Sequence, residues 1–129
     1  MKTVPANESV RRGRLAKALQ FKAVADDALA LADEGHGVAD AVVTLLVHAG
    51  IAASDAICAQ ALHEHAKGEN HMEAAMLLHT VNPAAAKRLK RLLGMKTRAG
   101  YGHDPVTNYQ LQQAERSAAA LIDFALNQR

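Results

Sequence analysis

The chain has 129 residues, a formal net charge of +2, half of its residues hydrophobic and 3% aromatic, which describes one domain, 1–129, large enough for a core rather than two domains. Cys58 is the single cysteine, so an internal disulfide, and with it a secreted disulfide scaffold, is excluded and a cytoplasmic protein is expected. The first residues alternate polar and basic, unlike a signal peptide, and the longest uncharged stretch, Ala41 to Ser54, falls short of the roughly 18 residues of a membrane span, so no membrane partner is expected.

With 28 alanines, and leucine outnumbering valine plus isoleucine, the hydrophobic complement favours helices over strands and close packing on small side chains. The expected fold is all-α: an elongated antiparallel, up-and-down bundle of four to five helices. The first helix is predicted from about Glu8 to Glu34, with Asn7 as N-cap and Gly35 as the C′ glycine, and Leu15, Ala18, Ala25, Ala28, Leu29 and Ala32 forming its buried stripe. The second is predicted from about Val38 to Ala66, stopped by Gly68. At 1.5 Å per residue each of these would be about 40 Å long. Asn70 and Glu73 have capping-box spacing and open a short third helix. Asn82-Pro83 opens a fourth, with Leu89, Leu92 and Leu93 on one side and Lys87, Lys90 and Arg91 on the other. Gly100 and Gly102 break it, and Asp104-Pro105 makes a turn. Thr107 with Gln110 forms another capping box, and Leu111, Ala114, Ala118, Leu121, Ile122 and Ala125 give the last helix its stripe.

His63-Glu64-His65 with His71 has the composition of a metal site. On a helix, however, two residues two apart diverge by about 200°, and the HExxH step that places two imidazoles together is missing. No metal and no cofactor is expected. Cys58 has no second thiol and no basic neighbour within a turn, so it reads as a small buried side chain rather than a nucleophile. The cations fall in two groups: Arg11, Arg12, Arg14 and Lys17 on the first helix, and Lys87, Arg88, Lys90, Arg91, Lys96 and Arg98 on the fourth. If they converge, they would bind phosphates; along the sequence no aromatic residues interleave with them for base stacking.

Two long leading helices, the stretch His48-Ala49-Gly50-Ile51-Ala52-Ala53, His71 followed by Leu77-Leu78, and Lys96-Thr97-Arg98-Ala99-Gly100-Tyr101 before an amphipathic last helix together resemble the HEPN superfamily (higher eukaryotes and prokaryotes nucleotide-binding) over nearly the whole chain. The resemblance implies a homodimer and a nucleotide- or RNA-binding role. Many members are metal-independent ribonucleases that use an arginine and, a few residues on, a histidine: the histidine handles the 2′-hydroxyl or leaving-oxygen proton while the arginine stabilises the phosphate. Arg98 and His103 match that spacing and are the candidate catalytic pair. The alternative frame sets Lys96 at the arginine position and Tyr101 at the histidine position. Helical phase supports it, because Lys96 extends the inward stripe of Leu89, Leu92 and Leu93, whereas Arg98 extends the polar face. Lysine holds phosphate as a point charge, and neutral tyrosine is a poor base at pH 7.

The expected function is therefore phosphate binding without strong catalysis, with His48, Asp55, His71, Lys96 and Tyr101 as candidate ligand-binding residues. Asp55 shares the face of His48 and is the expected partner of Lys96. The alternatives are a ribonuclease toxin restrained by an antitoxin such as a small nucleotidyltransferase, and a structural or protein-interaction bundle. A cleft holding His48, Arg98 and His103 together would favour the ribonuclease.

Overall fold

The computed structural model describes residues 2–33, 37–68 and 70–128. They form five helices and one two-stranded sheet in the order β1 (Thr3–Pro5), α1 (Glu8–Leu31), α2 (Ala39–Leu62), β2 (Glu64–Ala66), α3 (His71–Val81), α4 (Pro83–Gly100) and α5 (Asn108–Asn127). The all-α class follows from the capping chemistry as well as from the apolar periodicity. Asn7 Oδ1 accepts from Val10 N at 2.9 Å, Asn82 Oδ1 from Ala85 N at 2.9 Å with Pro83 opening α4, and Thr107 and Gln110 exchange both bonds of a capping box. At α3 Asn70 Oδ1 accepts from Met72 N and Glu73 N, the N-cap half of the expected box.

α2 is the axis of the molecule. Its length and composition would suffice to cross a bilayer, but most of it is buried inside the bundle, because α1, α3, α4 and α5 all pack on it. α1 runs antiparallel to it, Arg14 lying beside Asp55 and Phe21 beside His48. α4 is also antiparallel: Leu92 packs at Gly50, while Gly100 lies at Thr44. α5 runs parallel to α2, from the bond of Val106 N to Asp40 Oδ1 (2.9 Å) to that of Gln128 Nε2 to the Ile57 carbonyl (2.8 Å). A Cβ on Gly50 would collide with Leu92 Cδ1 and touch Leu121 Cδ1 at 3.4 Å; the absence of a side chain there lets the three helices close on one another.

Two boundaries differ from the sequence expectation. α1 ends at Leu31, and Gly35, expected as its C′ residue, lies outside the described residues. α2 stops at Leu62, where His63 takes a left-handed conformation (φ 59°) and turns the chain into β2. β2 pairs antiparallel with β1 in the register Thr3 with Ala66, Val4 with His65 and Pro5 with Glu64. His63, Glu64 and His65 therefore stand on a cap and a strand instead of a helix. Gly68 (φ +78°) serves the turn after β2 rather than the end of α2.

Candidate functional site

The apolar stripe of α4 continues Ala85, Leu89 and Leu92 into Lys96, so this lysine leaves the helix on the side that packs on α2. Its stem is half-buried where a leucine would be fully so. Because α4 is antiparallel to α2, its C-terminal end reaches the level of Thr44, Val47 and His48. These three residues with Lys96, Gly100 and Tyr101 line a cavity of about 140 Å³. At about 30 Å³ per water it has room for only a few waters, or for one small group of phosphoryl size.

No carboxylate lines this cavity. Lys96 brings an ammonium, Tyr101 a hydroxyl and His48 a ring nitrogen. Thr44 Oγ1 spends its proton on the Asp40 carbonyl at 2.8 Å, leaving only lone pairs. The His48 ring is backed by Phe21 of α1, centroids 5.8 Å apart and tilted by 45°. Tyr101 is 79% exposed and stands at the mouth. Gly100 passes close to Thr44, a Cβ at this position meeting Oγ1 at 3.9 Å.

The literal arginine–histidine pair is placed elsewhere. Arg98 is exposed and its Nε donates to the Pro105 carbonyl at 2.9 Å, tethering the loop before α5. The His103 side chain is 97% exposed, with Asp104 3.8 Å away. Neither lines the cavity that holds His48.

Asp55 is not the partner of Lys96. Lys96 sits at the level of Thr44 and Val47, about 12 Å along α2 from Asp55 at 1.5 Å per residue. Asp55 faces α1 instead and accepts from Arg14 Nε at 3.1 Å. His65 Nδ1, 2.8 Å from the Ala66 carbonyl, approaches the other carboxylate oxygen at 4.0 Å. Burial pushes the Asp55 carboxyl above its ordinary value, against the downward pull of Arg14 and His65. Burial, reinforced by Asp55, also pushes the Cys58 thiol up to about 12, which keeps it protonated and unreactive. His71 opens α3, half-buried and away from the cavity. Among the described residues no group of three His, Cys, Asp or Glu side chains could hold a metal ion.

Sequence reasoning missed a second surface. On the seam between α4 and α5, Arg91, Met95, Tyr109 and Gln113 line a depression of about 290 Å³. Beyond it, Asn82, Arg88, Asp123, Phe124 and Asn127 border a wider one of about 660 Å³. The two helices run antiparallel, so tyrosine and arginine residues far apart in the chain meet here.

Compared with known protein families and with characterised proteins, the chain matches none.

Proposed function

We propose that this is a HEPN-like helical protein that binds the phosphate of a nucleotide or of RNA at the Lys96 cavity, without strong catalysis of its own. One observation carries the reading: a phosphate-sized cavity whose only formal charge is the ammonium of Lys96, with His48 and Tyr101 beside it and no carboxylate on its wall. Among the described residues Lys96 has no ion-pair partner, so its charge is available to a ligand. The frame that sets Lys96 and Tyr101 at the family positions accounts for this geometry, since both line one cavity with His48. For the ribonuclease, Arg98 and His103 would need to act at the same cavity, and Arg98 is engaged by Pro105 instead.

Titration calorimetry with adenosine monophosphate tests the assignment. The parent protein is expected to bind, Lys96→Ala to lose at least tenfold in affinity, and Arg98→Ala to bind as the parent does. Absence of binding, or equal binding by Lys96→Ala, overturns it. The same reading includes a homodimer, because α1 leaves Val24 and Leu31, seven residues apart and on one face, exposed, apolar surface that a twofold copy would cover. Sedimentation at micromolar concentration showing a monomer would remove the dimer.

A further inference from the structure

On α1, Arg11 pairs with Glu8 and Arg14 with Asp55, while Arg12 and Lys17 are exposed and have no ion pair among the described residues. Arg88 and Arg91 of α4 and Arg116 of α5 have no ion pair among the described residues. Arg88 and Arg91 border the two depressions of the α4–α5 seam. Arg116 is exposed, three residues after Gln113 and four before Ala120, and so shares the face of α5 that lines the seam. Tyr109, 69% exposed, stands beside Arg91 at one end, and Phe124, half-buried against the core, lies near Arg88 at the other. Fifteen residues of α5 separate the two rings, about 22 Å at 1.5 Å per residue. Asp123 is the one carboxylate bordering either depression.

A shallow cationic track with an aromatic ring at each end is the arrangement that holds a strand whose bases are unpaired: arginines follow the phosphates while rings stack on base faces. A duplex keeps its bases stacked inside and offers the rings nothing, and an acidic peptide would use the arginines but not the tyrosine. We propose that the α4–α5 seam is a binding surface for single-stranded nucleic acid, with Arg88, Arg91 and Arg116 on the backbone and Tyr109 stacking on a base. The seam shares no residue with the Lys96 cavity, so the two assignments stand or fall separately.

Fluorescence anisotropy with a labelled single-stranded oligouridylate of about twelve nucleotides, long enough to cover the seam, tests this. The single strand is expected to bind more tightly than a duplex of equal length, and its affinity to fall steeply with salt. Tyr109→Ala should weaken it at least fivefold, Tyr109→Phe should retain it because the ring remains, and Arg91→Gln should weaken it comparably. Lys96→Ala, which removes a phosphate contact at the separate cavity, should weaken it less than Tyr109→Ala does. Polyglutamate competing as well as the oligonucleotide, a duplex binding equally, or Tyr109→Ala binding unchanged would overturn the proposal. Binding abolished by Lys96→Ala but untouched by Tyr109→Ala would place the strand at the cavity and overturn it as well. Loss of the seam leaves adenosine monophosphate binding, and hence the cavity assignment, unaffected.

Discussion

At Asp55, burial and charge pull in opposite directions, and burial wins, holding the carboxyl above its ordinary value. A native pKa above the unfolded one means that the folded chain binds the proton more tightly between the two values. The stability from this group is therefore complete below the unfolded value near 4 and is lost as pH rises through the folded value. Asp55→Asn, neutral at every pH, should remove that slope: urea midpoints from about pH 4 to neutrality should fall for the parent relative to the variant, and a pH-independent difference contradicts the account. The expected ion pair of Lys96 with Asp55 belongs to Arg14 instead, and the stability penalty moves with it. Arg14→Ala leaves a mostly buried carboxylate without its guanidinium and should cost on the order of 1 to 3 kcal/mol, whereas Lys96→Ala should cost less than about 1 kcal/mol, both read from denaturant midpoints. Helical phase was enough to turn Lys96 inward, because the stripe of Leu89 and Leu92 fixes its side of α4. Its partner was not legible, because a face on α2 says which residues point together but not at what height an antiparallel neighbour meets them.

Among the elements, the helices were legible because each carries its own signal. Asn7, Asn82 and Thr107 satisfy N-terminal amides that would otherwise be unpaired. The β1–β2 pair was not, because three residues do not establish an alternation and it joins partners such as Thr3 and Ala66 that lie far apart in the chain. The glycines show how context reverses a propensity. Gly94 lies within α4 with open space around its Cβ position, whereas Gly50 is closed in by Leu92 and Leu121. Gly94→Ala should therefore stabilise the protein by about 0.5 to 1 kcal/mol through helix propensity and a stiffer unfolded chain. Gly50→Val should destabilise it by about 2 kcal/mol or more, since a fully buried Leu92 has no room to yield. Chemical denaturation of both variants checks this, and a stable Gly50→Val would show that the α2–α4–α5 contact is looser than described.

For the whole molecule, the central place of α2 organises both surfaces. Packing α4 antiparallel on it delivers Lys96 to His48 and produces the cavity, while packing α5 against α4 sets Tyr109 beside Arg91 and produces the seam. The sequence showed the cations of α4 but no aromatic residues among them; folding supplies the missing rings, Tyr109 and Phe124, from α5. Assigning phosphate binding to the cavity distinguishes Lys96 from Arg98 and His48 from His103, and the most direct measurement resolves these residues individually. In an NMR titration with adenosine monophosphate at constant pH, the account predicts that the His48 ring and the Lys96 ammonium signals shift with a common affinity while the His103 ring and Arg98 signals stay in place. Shifts confined to His103 and Arg98, together with metal-independent RNA cleavage lost in Arg98→Ala and His103→Ala but kept in Lys96→Ala, would contradict it and establish the ribonuclease.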